Sequence, residues 1–325
     1  MKTIKFLFLF AIVLTSCNDD DNSTSLEPVI ITDVYVGGTL NKNAVYWKND
    51  ELVQLTYSTI NTVEEVIDMV VTSNEDVHII GNTATGGAYW LNNNRTDLSF
   101  DPIKIIVNTQ GDVYILGELE YLRNNISFTT GMINFDMAVV EDDIHIVGSK
   151  NSRPYYYLNG NSSELSNNGQ SSYAECLKVY QQDVYIAGGM RAEAGSNNYL
   201  VSRWLNGNRT DLTVVDEDCY AYDIKIINDA VHIIGSYFNT VNNEFGGAHW
   251  VNNDLQPIIN GSYEFYGLDS LNNNVYISGN YNVYNDDIYR YGYWINNNWI
   301  NLYQETSATQ LSMWSNTIFI HKYEQ

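Results

Sequence analysis

Apolar residues fall in this chain in short bursts, and the bursts recur with the same neighbours. The stretch Glu75 to Leu98, EDVHIIGNTATGGAYWLNNNRTDL, holds a run Val77-His78-Ile79-Ile80-Gly81, a polar loop, a second run ending in Tyr89-Trp90, an asparagine-rich turn and a third short run closing on Leu98. Runs of four to six residues bounded by Asn and Gly predict short strands, and no stretch carries the 3.6-residue apolar period of a long helix. The same phrase returns as DVYIAGG…SRWLNGNRTDL, AVHIIGS…AHWVNNDLQPI and NVYISGN…GYWINNNWINL.

The repeat is fixed by its anchors. A strand of the order apolar, Tyr or His, Ile or Val, any residue, Gly begins at Val34, Val77, Val113, Ile144, Val184, Val231 and Val275, and ends at Gly38, Gly81, Gly117, Gly148, Gly188, Gly235 and Gly279. A degenerate eighth copy, Ile318-Phe319-Ile320, has Lys322 at the glycine position. The next strand carries an aromatic and, two residues on, an asparagine: Trp47 with Asn49, Trp90 with Asn92, Tyr157 with Asn159, Trp204 with Asn206, Trp250 with Asn252, Trp294 with Asn296. Eight residues after each aromatic comes Leu55, Leu98, Leu165, Leu212, Ile258 or Leu302, so six hairpins share one register. The third repeat, Tyr121-Leu122-Arg123-Asn124-Asn125, has no aliphatic in phase.

A further short run precedes each glycine strand, as in Ile67 to Val71 or Tyr222 to Ile226. Each unit therefore offers four strands, and a period of about 40 residues is that of a β-propeller blade. The expected fold is an all-β, seven-bladed propeller of four-stranded antiparallel blades spanning residues 28–325, with eight blades as the alternative. Both termini should share one blade, Leu311 to Ser315 lying in the sheet of Val34 to Gly38; the place of Ile318-Ile320 stays open. The residues resemble secreted bacterial β-propeller lipoproteins with repeats of the VYVAG…YWKNG…LT type, and more distantly NHL and YVTN propellers. That resemblance covers nearly the whole repeat region and implies an architecture, not an activity.

The first residues, MKTIKFLFLFAIVLTSC, break the pattern. Lys2 and Lys5 precede an apolar segment, Phe6 to Leu14, that is too short to span a bilayer as a helix. Residues 1–16 are expected to be a lipoprotein signal peptide, Cys17 the lipidated residue, and residues 17–27 a polar tether whose Asp19-Asp20-Asp21 resembles a surface-export tag. The expected location is the outer membrane, reached through the lipid anchor and facing outward. An ordinary secretory signal is the alternative.

Charge narrows the partners. Lys and Arg number 16 against 39 Asp and Glu, a net charge of −23, which repels nucleic acid and anionic lipid. Cys176 and Cys219 are the only other cysteines; they allow one bridge but no disulfide framework.

Candidate chemistry is sparse. Five tryptophans share one phase of the repeat and are expected in the core between blades; Trp299 and Trp314 are out of phase and are the surface candidates. His78, His145 and His232 replace the tyrosine of the glycine strand in separate blades, too far apart to share a metal, so no metal site is expected. No calcium loop, GxSxG, HExxH or phosphate-binding motif occurs, and no cofactor is expected. If the first strand of each blade lines the central channel, one column reads Asp68, Lys104, Asp136, Cys176, Asp223, Gly267, Gln310, and a second holds Lys178, Lys225 and Asp269. Asp68, Lys104, Asp136, Asp223, Asp269 and Gln310 are thus the candidate site residues, for ligand binding or for paired-carboxylate chemistry; a merely water-filled channel is the plain alternative.

Three functional readings follow: a cell-surface binding module for an extracellular glycan or protein, an enzyme acting on extracellular polysaccharide, and a structural surface protein. A monomer is expected in each case. Repeat-breaking insertions, Arg191 to Tyr199 and Tyr281 to Tyr289, favour a recognition face if they share one side of the ring.

Overall fold

The computed structural model describes residues 30–49, 51–56, 64–191, 198–212, 217–239, 244–256, 262–282, 288–306 and 314–324. The segments expected to be signal peptide and tether, with Cys17, and also Ile258 and Gln310, lie outside them. Among the described residues there are 28 β-strands, β1 (Ile30–Leu40) to β28 (Trp314–Glu324), and no helix. They form seven antiparallel sheets of four strands each. The innermost strands are β28, β4 (Glu65–Val71), β8 (Pro102–Val107), β12 (Ile133–Val140), β16 (Ser172–Tyr180), β20 (Glu217–Ile227) and β24 (Ser262–Leu271). Each neighbours the next around the axis, and β24 and β4 both flank β28, so the ring is closed. The fold is a seven-bladed β-propeller; blade 1 holds β28 and β1, and blades 2 to 7 follow the chain.

Closure uses the two ends of the chain, but through a different segment from the one expected. Ile320, Phe319 and Ile318 pair with Val34, Tyr35 and Val36. The run that reads as a degenerate glycine strand is therefore the inner strand of blade 1, and among the described residues no strand is left over. Leu311 to Met313 lie outside the described residues, while Trp314 and Ser315 begin β28. An inner strand faces the channel on one side and the blade on the other, so it needs no glycine at its fifth position.

The glycine column has a physical cause that alternation alone hides. Each inner strand contains a one-residue β-bulge that leaves Ile67, Ile103, Phe135, Glu175, Tyr222, Tyr266 and Asn316 without a partner across the hairpin. Just before the bulge a carbonyl presses on the glycine strand. A methyl group on Gly81, Gly148, Gly188 or Gly235 would overlap the carbonyl oxygen of Glu65, Ile133, Tyr173 or Tyr220.

The asparagine column is a tether present in all seven blades. The first residues of the glycine strands, from Val34 to Val275, donate their N–H to Oδ1 of Asn49, Asn92, Asn124, Asn159, Asn206, Asn252 and Asn296 at 2.8 to 3.1 Å. These asparagines adopt φ of 45° to 59°, a region that Asn tolerates better than most residues. The third blade keeps this tether. Its apparent irregularity is one of phase: Leu122 faces Ile115 as Trp90 faces Ile79, and the buried Thr130 replaces the aliphatic eight residues on.

Trp47, Trp90, Trp204, Trp250 and Trp294 are buried between blades. The indoles of Trp90 and Trp204 donate to the carbonyls of Thr56 and Ser166 in the preceding blade, both at 2.8 Å. Trp299 is not a surface residue: it is half-buried, its ring 4.4 Å from that of Trp294. The side chain of Trp314 lies outside the described set. Cys176 and Cys219 are buried, unbridged thiols in one core cluster.

Candidate functional site

The first column of channel positions forms a belt in the middle of the ring. Asp68, Asp136 and Asp223 occupy blades 2, 4 and 6, and each uses both carboxylate oxygens on backbone amides. One oxygen accepts from the following residue (Met69, Met137, Ile224) at 2.8 to 2.9 Å. The other accepts from Ile105, Leu177 or Leu268 in the next blade at 2.8 to 3.0 Å. These carboxylates are clasps between neighbouring inner strands, and the intervening blades 3, 5 and 7 carry Lys104, Cys176 and Gly267 at the same level. In blade 1 the register puts Thr317 there, where the sequence count had put Gln310. Lys104 reaches into the belt, with Nζ 3.6 Å from Asp136 and 3.9 Å from Asp68. Those two carboxylates hold its pKa above the ordinary lysine value. Burial pushes the Asp136 carboxyl up, with Lys104 and the Leu177 amide opposing it, and pushes the Cys176 thiol well up.

The belt divides the channel into two chambers. Inner strands run from the side where blades are joined to one another toward the side of the tight turns that follow them, at Glu141-Asp142, Gln181-Gln182, Asn228-Asp229 and Asn272-Asn273. The ends of the second strands and the starts of the third strands all lie on the first side, because neighbouring strands are antiparallel. We call these the loop face and the turn face.

The loop-face chamber, about 140 Å³, is lined by the bulge residues Ile67, Ile103, Phe135, Glu175, Tyr222 and Tyr266 above the belt. A bulge swings its extra side chain onto the same side as its neighbour. Strict alternation hides this position, so none of the six was singled out from the sequence. Tyr222 is exposed and its hydroxyl hydrogen-bonds Ser236 Oγ at 2.9 Å; Tyr266 Oη accepts from Asn280 Nδ2 at 3.0 Å. Burial, with Asp136 beneath it, lifts the Glu175 carboxyl to about 7. Beside the mouth runs a chain of rings, with centroids 6.3 Å apart for Phe135 and Tyr173, 5.7 Å for Tyr173 and Tyr199, and 5.8 Å for Tyr199 and Tyr220. The Arg191 guanidinium lies 6.0 Å from the Tyr199 centroid.

The turn-face chamber, about 260 Å³, is lined by the second column: Val70, Ile106 and Ala138 from blades 2 to 4, and Lys178 and Lys225 from blades 5 and 6. Asp269 follows in blade 7, 3.0 Å from Lys225 Nζ. Burial works against the Lys225 ammonium, but Asp269 and Asp223 keep its pKa raised. Both chambers are thus apolar or aromatic on the side of blades 2 to 4, while blades 5 to 7 supply their ionisable groups other than the belt. The three longest gaps between second and third strands, after Arg191, Asn239 and Asn282, also fall in blades 5 to 7 and on the loop face.

The strand histidines are structural partners of the third strand. His78 and His145 hydrogen-bond the hydroxyls of Tyr89 and Tyr156 at 2.8 and 2.6 Å, and His232 Nδ1 lies 3.0 Å from His249 Nε2. Burial lowers the pKa of all four, that of His249 to about 4 with help from His232.

No family model matches this sequence, and no curated protein matches it. Among solved structures it is similar to a quinoprotein alcohol dehydrogenase-like protein from Bacteroides thetaiotaomicron, with TM-score 0.53 and 8% identity over 89% of this chain and 77% of that one. A TolB-like protein from Agrobacterium tumefaciens superposes with TM-score 0.46 and 9% identity over 91% of this chain and 99% of that one. At such identities the first likeness is one of fold, and neither brings an activity to this chain.

Proposed function

We propose that the protein is a lipid-anchored binding module of the cell surface whose loop face recognises an extracellular glycan. The observation that carries this reading is the coincidence, in blades 5 to 7, of the three longest loop-face gaps with the Glu175, Tyr222 and Tyr266 mouth. Tyrosine rings offer flat faces for the C–H surface of a sugar, and a carboxyl beside them offers hydrogen bonds to hydroxyls. The clasped aspartates speak against the polysaccharide-cleaving alternative: Asp68, Asp136 and Asp223 have both oxygens engaged by backbone amides, so that among the described residues lining this chamber Glu175 has no second carboxylate outside the clasps.

The test is a glycan-array screen of residues 28–325 as a soluble domain. Tyr222→Ala should weaken any glycan bound by tenfold or more with only a small fall in melting temperature, since the ring is exposed and the bond lost is that of its hydroxyl to Ser236. Retention of no glycan, or equal retention by the variant, would remove this reading. Anchoring is tested separately. Cys17→Ala should abolish lipid labelling and either release the chain from the membrane fraction or leave an uncleaved precursor; undiminished labelling would refute the anchor.

A further inference from the structure

The turn-face chamber has one feature that the clasps and the glycan mouth leave unused. Three of the 16 basic residues of a strongly acidic chain converge there, Lys104, Lys178 and Lys225, and only two of them have counter-ions. Lys104 stands between Asp68 and Asp136, and Lys225 is paired with Asp269. Among the described residues, Lys178 has no carboxylate within the 4.0 Å of an ion pair. The belt carboxylates are not free to turn toward it, because the oxygens of Asp136 and Asp223 are pinned by amides of two strands each.

Lys178 is half-buried, and an ammonium partly withdrawn from water without a direct ion-pair partner is unfavourable. Burial, followed by Lys225 and Lys104, presses Lys178 toward its neutral form, and the more distant Asp223 and Asp269 only partly oppose this. Facing it across the cavity is a wall of different chemistry, Val70, Ile106 and Ala138. A space of about 260 Å³ with one unanswered cation and one apolar wall fits a particular shape of guest. An inorganic anion would satisfy the ammonium and waste the wall; a cation would meet three lysines and find the lining carboxylates Asp68, Asp136 and Asp223 already engaged by backbone amides.

We propose that this chamber binds a small organic monoanion, a carboxylate with a compact aliphatic or aromatic body, its head on Lys178 and its body against Val70, Ile106 and Ala138. The carboxylate supplies the direct ion pair that Lys178 lacks among the described residues. Entry is from the turn face, so this site is separate from the glycan mouth and stands whether or not glycan recognition does.

The experiment is titration calorimetry of the full-length chain with 4-methylpentanoate and, in parallel, its neutral amide. The acid should bind saturably and the amide at least tenfold more weakly. Lys178→Met, which keeps the stem and removes the charge, should weaken the acid tenfold or more while melting at or above the wild-type temperature. Lys178→Arg should bind within threefold of wild type. Ala138→Phe, which fills the apolar side and keeps Lys178, should also lose binding. Tyr222→Ala, on the opposite mouth, should leave the affinity unchanged. The proposal is overturned by no saturable heat up to about 10 mM, the weak end of specific binding. It is equally overturned by equal affinities for acid and amide, by Lys178→Met or Ala138→Phe binding like wild type, by chloride competing as well as the acid does, or by loss of binding in Tyr222→Ala.

Discussion

At the scale of single residues, the channel shows how one side-chain type serves different ends according to what surrounds it. Asp68, Asp136 and Asp223 read as a column of potential acids and bases, yet each spends one oxygen on an amide of its own strand and the other on an amide of the next blade. Glu175, one position from the column, makes no such contacts and keeps a carboxyl that titrates near neutrality. Its pKa of about 7 against an ordinary 4.5 gives a testable sign. The folded chain holds this proton more tightly than the unfolded one, so the stability it contributes is full below the unfolded value. It is lost as pH rises from 4.5 to about 7. At about 1.4 kcal/mol per unit, reduced because the mouth admits water, the loss is about 2 kcal/mol. Glu175→Gln mimics the protonated form, and should match wild type in urea unfolding at pH 4 and exceed it by about that amount at pH 8. A variant less stable than wild type at pH 8 would show that the ionised carboxylate has a stabilising partner there.

At the scale of strands, the repeat was legible wherever the same constraint acts in every blade. The glycine, asparagine and tryptophan columns could be aligned by eye, because a close carbonyl, a positive φ and an inter-blade wedge each demand one residue type. The bulge was not legible. It adds a residue without favouring any type, as Ile67, Phe135, Glu175 and Tyr222 together show. Counting by twos therefore found Asp68, Lys104, Asp136, Asp223 and Asp269 but missed the row that forms the loop-face mouth. The third blade hid its phase for a different reason: Leu122 holds the position of the aromatic column, and the neighbouring Tyr121 lies one residue off it. The bulge and the glycine form one device, and Gly148→Ala tests it. The added methyl would overlap the Ile133 carbonyl oxygen, which belongs to backbone and cannot rotate away. Moving β12 to relieve it would disturb the Asp136 clasp as well. Overpacking of this kind costs about 1–3 kcal/mol, and the upper end is expected here, seen as a lowered urea midpoint with unchanged m-value. Wild-type stability in the variant would mean that the bulge relaxes freely and that the glycine column has another cause.

At the scale of the whole molecule, a ring of seven similar blades has been made unequal. Blades 2 to 4 give the channel apolar walls on both sides of the belt, whereas blades 5 to 7 give it Glu175, Lys178, Lys225 and Asp269. Such a channel has direction around its axis as well as along it. The ring holds this arrangement only while it is closed, and closure rests on β28. Its Ile318 is buried against the blade 7 residues Tyr276 and Tyr293 and the blade 1 residues Val34 and Val36, so one strand completes both a sheet and an inter-blade core. Deleting residues 314–325 would bare the paired edge of β1 over its whole length and open the channel wall between blades 7 and 2. At about 25 cal/mol per Å² of apolar surface, an inner strand represents several kcal/mol, comparable with the whole stability margin of a domain. An uncovered strand edge is also a template for pairing with other chains. The truncated protein should therefore lose cooperative melting, become protease-sensitive and aggregate. A synthetic peptide of residues 314–325 added in trans should restore protection, because the bared edge of β1 offers it the register it has in the intact ring. Cooperative melting of the truncated chain at the wild-type temperature would show that the other six blades hold the ring without this strand.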